Sequence, residues 1–352
     1  MKIGIYSPYL NSLGGGERYM LTIASHLSAS HDVSLFWDDD SIRASAKKRL
    51  GLDLSRVSTM RNMFAHDSIL TKMRESKRYD CIFFLSDGSI PYTRAKHNII
   101  HFQNPFPHVK ARTFVNTVKL KKYDAVVCNS QFTKKYIDQE YGVDSMVIYP
   151  PAPIDDFSPG KKEKLIINVG RFSKYYINKN QLELIEAFRM FHKRNHDWRL
   201  VIIGGMLEED RPYYDELKAM ARDLPITLLP NASFDTLKSY YKKATLYWHA
   251  AGFGINEKEN PAGLEHFGIT TVEAMAAGCI PVVYDGGGQK EIVEEKNHGF
   301  RWKTLEELVE KSERIIQDTT LVSTMRTQGI ARAQDFSEAR FVERIDQLIA
   351  SL

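Results

Sequence analysis

Short apolar runs separated by helix-length amphipathic segments recur along all 352 residues, and this alternation constrains the fold more than any other feature. IGIYS (3–7), DVSLFW (32–37), DCIFFLS (80–86), NIIHF (98–102), AVVCNS (125–130) and MVIYP (146–150) are dense in β-branched and aromatic residues and read as strands. Helical segments such as 17–28 and 132–141 lie between several of them. Strands joined through helices form βαβ units, which require a parallel sheet. Runs this continuously apolar predict burial on both faces.

The pattern breaks once and restarts. YPPAPIDDFSPGKKEK (149–164) holds four prolines, a glycine and a charge run, so it reads as a stiff interdomain linker. Beyond it come KLIINVG (164–170), RLVIIGG (199–205), ITLLP (226–230), TLYWHA (245–250) and PVVYD (281–285), with helices expected at 180–194, 212–223, 233–243 and 269–278. Helices fill 304–350. The expected organisation is α/β with two Rossmann-like domains, one over 1–155 and one over 156–336. Ligands of open α/β sheets sit beyond the carboxyl ends of strands, so two such domains predict a cleft site.

Composition removes other classes. With 43% hydrophobic residues and no biased tract, the chain is not disordered. No apolar run approaches the ~20 residues of a spanning helix, and MKIGIYSPYL lacks a signal-peptide layout, so a soluble protein is expected. Cys81, Cys128 and Cys279 are odd in number and without zinc spacing, which predicts buried reduced thiols in a cytoplasmic protein. The net charge of +4 conceals an asymmetry: residues 1–155 carry 21 Lys/Arg against 15 Asp/Glu. Within 41–80 the balance is 10 against 4, which fits either a solvated helical face or a dock for an anionic membrane.

Three segments could carry chemistry. SLGGGERYM (12–20) opens a helix after the first strand, so Gly15 and Gly16 allow backbone to approach an anion at a helix start; an ordinary tight turn is the alternative. In VGRFSKYYINKNQ (169–181), Arg171 leaves a strand and Lys179 precedes a helix, a pairing suited to a diphosphate or to two surface cations. In GLEHFGITTVEAMAAGCIPVV (263–283), Glu265 and Glu273 are eight apart, and the small residues of AMAAG demand close packing. Carboxylates accept from sugar hydroxyls, and the amides of Gly268 and Ile269 could meet phosphate. The DDD at 38–40 reads as a polar loop rather than a metal site.

The run E-H-F-G-I-T-T-V-E-A-M-A-A-G-C-I-P-V-V resembles the signature of family-four retaining glycosyltransferases of the GT-B fold, with GGGER and G-R…K at that family's positions. The resemblance implies that Arg171 and Lys179 hold the donor diphosphate and stabilise the departing nucleoside diphosphate. It places Glu273 on the nucleotide ribose and Glu265 at the transferred sugar, with the Phe267–Gly268–Ile269 backbone beside it. Gly15 and Gly16 would approach the donor phosphate, and His101 in IIHFQNP resembles an active-site histidine near the sugar. Asn231 and Ser233 fall where a base-reading loop would lie. The resemblance also brings the last helix, about 337–352, back onto the first domain.

HAAGFGINEKENPAGLEHFGI and VIYPPAP are similar to mannosyltransferases of bacterial and lipid-linked glycans, which implies GDP-mannose as donor and a glycan or lipid-linked acceptor in surface polysaccharide or glycolipid assembly. UDP-sugar transferases share the core motif, so a UDP-glucose or UDP-N-acetylhexosamine donor is the alternative. A nucleotide-sugar epimerase and a non-catalytic sugar-nucleotide scaffold are further readings that the motif disfavours. No metal, cofactor or nucleic-acid partner is expected, and the expected location is the cytoplasm, peripheral on the inner face of the membrane.

Overall fold

The computed structural model describes residues 1–10, 13–175 and 177–352; Ser12, which begins the glycine motif, and Tyr176 lie outside the described residues. The chain divides into two units, Met1–Pro151 with Glu338–Leu352, and Ala152–Ser337.

The first unit is a seven-stranded parallel sheet in the order β3-β2-β1-β4-β5-β6-β7. Its strands are β1 (Lys2–Tyr6), β2 (Asp32–Phe36), β3 (Ser58–Met60), β4 (Cys81–Leu85), β5 (His97–Phe102), β6 (Ala125–Cys128) and β7 (Met146–Val147). Alternation along the strands sends side chains to two separate cores. Ile3, Ile5, Leu35, Phe83 and Leu85 meet the helices Gly15–Leu27, Ile42–Leu50 and Glu338–Ala350 on one face. Ile82, Phe84, Ile100 and Phe102 meet Met63, Phe64, Ala111 and Tyr123 on the other. The returning helix Glu338–Ala350 supplies Phe341, Ile345 and Leu348 to the first core, and Asp346 accepts from His26 at 2.7 Å.

The second unit is a six-stranded parallel sheet in the order β10-β9-β8-β11-β12-β13. Here the strands are β8 (Glu163–Val169), β9 (Arg199–Gly204), β10 (Ile226–Pro230), β11 (Ala244–His249), β12 (Ile280–Tyr284) and β13 (Phe300–Trp302). The strand order reverses between β8 and β11, the position where open α/β sheets form a crevice. Buried Asn168 donates to the Trp248 carbonyl at 2.9 Å, and the Trp248 indole donates to Ser312 Oγ at 2.9 Å, bracing that crossing.

Two edge strands, β3 and β13, have no counterpart in the sequence reading, because STM and FRW are too short to show a period. The segment 149–164 is not a bare connector. From Ala152 it is folded onto the second unit, with a 3-10 turn at Ile154–Asp156 and the buried Phe157 ring edge-on to Phe234 and Tyr241, at 5.8 and 5.2 Å. Cys81, Cys128 and Cys279 are buried free thiols, and burial pushes Cys81 and Cys128 up to about 12. Among the described residues no helix is long and apolar enough to cross a membrane.

Candidate functional site

The site assembles at the carboxyl ends of β8, β11 and β12. Gly170 follows β8, and its chain passes so close to β9 that a Cβ on Gly204 would lie 1.8 Å from the Gly170 carbonyl oxygen. A Cβ on Gly170 itself would lie 2.7 Å from Lys179 Cγ, so the stem of Lys179 crosses directly over the residue before Arg171. Arg171 has an exposed side chain, while its carbonyl accepts from Gln181 at 2.9 Å. Asn180 fixes the start of the helix Gln181–His192: it takes a left-handed φ of 51° and donates to the carbonyls of Ala250 and Phe253 at 2.9 and 3.0 Å. That ties the loop after β8 to the loop after β11.

Lys179 Nζ lies 2.6 Å from Glu265 Oε2, in a pair whose side chains are 19% and 16% exposed. The same oxygen lies 3.3 Å from His249 Nε2, the last residue of β11 and 2% exposed. Burial alone would raise the Glu265 carboxyl, but the Lys179 charge and the His249 hydrogen bond outweigh it and hold it well below the usual carboxylate range. Burial pushes His249 down against the pull of Glu265. Glu265 is therefore an ionised carboxylate held at a fixed place by two donors.

Beyond Glu265 the chain makes a tight turn into the helix Ile269–Ala276. Gly268 adopts φ +117°, and a Cβ there would sit 2.1 Å from Gln289 Nε2. Gln289 is the clasp: its Nε2 donates to the Phe267 carbonyl at 3.5 Å, and its Oε1 accepts from Thr271 at 2.9 Å. Phe267 is buried, edge-on to Phe336 at 5.4 Å. Glu273, one turn into the helix, accepts from the buried Tyr241 hydroxyl at 3.1 Å, and that hydroxyl also reaches the Thr270 carbonyl at 3.1 Å. Burial, then the Glu273 charge, keeps Tyr241 protonated by raising it well above its ordinary value. Ala274 and Met275 turn inward, which fits the close packing expected of AMAAG.

The remaining expected residues lie elsewhere. Asn231 (φ 53°) accepts from the Met206 amide at 2.9 Å and donates to the Met206 carbonyl at 3.0 Å, so its side chain shapes the loop after β9. Ser233 caps the helix Phe234–Lys243 by accepting from the Thr236 amide. In the first unit, the Gly14 amide donates to Glu17 Oε2 at 2.7 Å, placing a carboxylate on the leading amide of the glycine run. Gly16 leaves room for Gln103, which donates to its carbonyl at 2.9 Å. The three aspartates at 38–40 each hold local partners: Asp38 the Asn62 amide and His66, Asp39 Ser41, and Asp40 Thr59 and Arg43. Among the described residues no group of three His, Cys, Asp or Glu could hold a metal ion.

His101 lies buried near the end of β5. It is 1% exposed and lies flat on Tyr19 with centroids 3.8 Å apart, and neither ring nitrogen makes a hydrogen bond of ordinary geometry. Burial pushes its pKa down to about 3, only partly opposed by the Val127 backbone. This is a neutral ring packed face to face with Tyr19.

Sequence reasoning passed over His249, Gln289, Tyr241 and Gly286–Gly288. The glycine run after PVVYD was the available signal. A Cβ on Gly287 would lie 2.2 Å from the Glu265 carbonyl oxygen, and one on Gly288 would lie 2.5 Å from that of His266. The Gly288 amide donates to the Glu265 carbonyl at 2.8 Å, so these glycines let the carboxylate loop lie against the turn after β12.

At the strand ends of the second unit, Lys179 pairs with Glu265, and the Gly268 turn opens the helix that carries Glu273. Comparison with known proteins narrows this. The sequence profile of glycosyl transferases group 1 matches residues 153–334 and that of glycosyltransferase family 4 matches residues 13–156. The chain belongs to this glycosyltransferase family. A GDP-Man:Man(3)GlcNAc(2)-PP-Dol alpha-1,2-mannosyltransferase of Dictyostelium discoideum is 26% identical over 248 residues, covering 64% of this chain and 47% of the relative. The human alpha-1,3/1,6-mannosyltransferase ALG2 is 26% identical over 258 residues, covering 65% and 59%. The chain thus spans about half the length of these curated relatives. Among solved structures, Anabaena HepE in complex with UDP matches with a TM-score of 0.76 at 19% identity over 100% of this chain and 99% of that one. A glycosyltransferase from Rickettsia africae gives 0.77 at 16% identity over 99% and 97%. These two establish the GT-B fold.

Proposed function

We propose that the protein is a retaining glycosyltransferase that moves mannose from GDP-mannose onto a glycan carried by a lipid. The observation that carries this reading is Glu265, held ionised by Lys179 and His249 immediately before the Gly268 turn into the Glu273 helix. The GDP-mannose preference is supported by what the curated relatives act on. In this role Arg171 and Lys179 hold the donor diphosphate, Glu273 accepts from the ribose, and Glu265 accepts from hydroxyls of the transferred sugar. The Phe267–Gly268–Ile269 backbone offers amides to phosphate, and the loop shaped by Asn231 lies towards the base. The fold is proposed to need no metal, because fixed cations and helix amides stand where the leaving diphosphate gathers charge.

The chemistry follows from that charge. The bond between the anomeric carbon and the diphosphate oxygen breaks, and the sugar takes on oxocarbenium character. Negative charge on the departing GDP is met by Arg171, Lys179 and the amides after Gly268, the kind of preorganised stabilisation that contributes most to such rates. The acceptor oxygen bonds to the anomeric carbon on the face the diphosphate leaves, and its proton passes to the leaving phosphate. Configuration is retained without a covalent intermediate on the protein.

The test pairs binding with turnover. GDP at 100 times its Kd should stabilise the fold by about 2.7 kcal/mol in a thermal-shift assay, with UDP giving less. GDP-mannose should release GDP slowly to water and faster with a lipid-linked glycan. A preference for UDP-glucose would overturn the donor, and tight GDP binding with no release from any donor would mark a scaffold.

A further inference from the structure

The second face of the first unit presents a surface that the sugar-nucleotide site does not use. Residues 88–123 contain seven lysines and arginines and no aspartate or glutamate. Within that stretch the helix Phe114–Leu120 buries none of its residues. Phe114 is 85% exposed, Val115 52% and Val118 47%, and their spacing places them on one side of the helix. The helix is held from its other side. Lys119 donates to the Ile90 carbonyl at 2.9 Å and lies over the Tyr92 ring at 3.8 Å, and Tyr123 donates to the Pro91 carbonyl at 2.9 Å. The apolar stripe is thus fixed outward, and exposed Lys121 and Lys122 follow it directly.

A second exposed helix, Ile69–Ser76, is tied to the same segment, since the Arg94 amide donates to Ser76 Oγ at 2.9 Å. It adds Leu70, 80% exposed, and Ile69, with Lys72 beside them. Both helices follow chain that packs on the Ile82–Phe84–Ile100 face. The cations of the helix Ile42–Leu50 are elsewhere: Ile42 and Ala46 pack with Ile3 and Leu35 on the opposite face. The two basic clusters of residues 41–80 therefore cannot rest on one plane.

We propose that the Phe114–Leu120 face of the first unit seats on the surface of an anionic lipid bilayer. Phe114, Val115 and Val118 enter the boundary between headgroups and acyl chains, while Lys121, Lys122 and Lys72 stay at headgroup level. The proposal deepens the lipid-linked acceptor reading above but does not depend on which donor is used. The pattern favours lipid: exposed apolar side chains flanked by lysines suit an interface that takes the apolar groups at its boundary and leaves the cations at headgroup level. Charge favours an anionic surface, since each cation near it adds about fivefold to partition. Asp87 and Asp124 at the ends of the run and Glu140 accepting from the Lys110 amide sit outside the stripe, and Glu75, on the second helix, is paired with Arg74 and Arg78 at 3.0 Å.

The test is flotation of the full chain with vesicles of phosphatidylcholine alone or with about 30% phosphatidylglycerol. Binding should require the anionic lipid and weaken with salt. Phe114→Ser with Val118→Ser should lower partition about tenfold, and Lys121→Glu with Lys122→Glu should abolish the preference for anionic vesicles. Arg43→Glu with Lys47→Glu, the same charge change on the opposite face, should cost far less. Unaltered thermal unfolding and unaltered solution hydrolysis of GDP-mannose would show that the variants remain folded and active. Failure of the unaltered protein to bind anionic vesicles, or equal losses from both faces, would overturn the proposal, the former leaving an acidic protein partner for this face. Vesicle binding as described without GDP-mannose turnover would sink the donor assignment alone.

Discussion

Replacing Lys179 with alanine removes one of the two donors that hold Glu265 and leaves that carboxylate enclosed beside His249. Losing one partner of a buried ion pair costs about 3–5 kcal/mol. With both side chains roughly one-sixth exposed, water recovers part of this, and a loss of roughly 2–3 kcal/mol is expected. For a unit of this size, that lowers its melting temperature by about 4–12 °C. Adding Glu265→Gln removes the stranded charge, so the double variant should be less destabilised than the sum of the singles, with coupling of about 2 kcal/mol. The pH dependence has a definite sign. Glu265 titrates lower folded than unfolded, so its contribution is complete above about pH 4.5 and fades as pH falls through the folded value. Urea unfolding of the four proteins at pH 7 and again near pH 3 measures this. Strictly additive variants at pH 7, or a Lys179→Ala deficit that persists in full at pH 3, would refute the coupling. Turnover should fall by about 10²–10³ in the same variant, because the lysine also faces the leaving diphosphate in the proposed reaction.

Three further outcomes follow from particular contacts. Gly268→Ala places a Cβ 2.1 Å from Gln289 Nε2 at φ +117°, so it should cost about 2–3 kcal/mol in unfolding experiments and weaken donor turnover; a variant as stable as the parent would contradict the geometry. Glu273→Gln should weaken GDP binding by about tenfold in calorimetry, while Tyr241→Phe, which removes the hydroxyl shared by Glu273 and the Thr270 carbonyl, should weaken it less; undiminished affinity in the first would remove the ribose role. His101→Phe should match or exceed the parent in stability and keep its turnover, since two unbonded ring nitrogens are replaced by carbon. His101 titrates lower folded than unfolded, so its neutral form is favoured in full above about pH 6.5, and that contribution drains away towards about 3; the variant should lose this slope, and a large fall in turnover would restore a catalytic role.

The legible parts of the sequence were those set by local patterns. Eleven of the strands announce themselves as apolar runs, and the E-x7-E segment shows both its carboxylates and its small-residue helix. What stayed hidden depends on distant pairing. Glu265 and Lys179 are 86 residues apart, and nothing local in either says that they meet. His249 reads as the tail of an apolar strand, and only burial beside Glu265 makes it a donor. Gln289 gains its role from the space left by Gly268. The stacking of His101 on Tyr19 is of the same kind, since nothing in the IIHFQNP motif shows the ring 82 residues away that it lies against. The cations near the start of the chain look like one cluster in sequence, but consecutive helices on opposite faces of a sheet separate them.

The helix Glu338–Ala350 has a further consequence for how the molecule is made. Phe341, Ile345 and Leu348 belong to the same core as Ile3 and Leu35. During synthesis the first unit therefore emerges more than 180 residues before the piece that seals its core. The second unit, which is continuous in the chain, can close on its own, while the first waits with an apolar seam open. Unfolding that begins with detachment of this helix should loosen the earliest residues of the chain before any residue of the Lys179–Glu265 site.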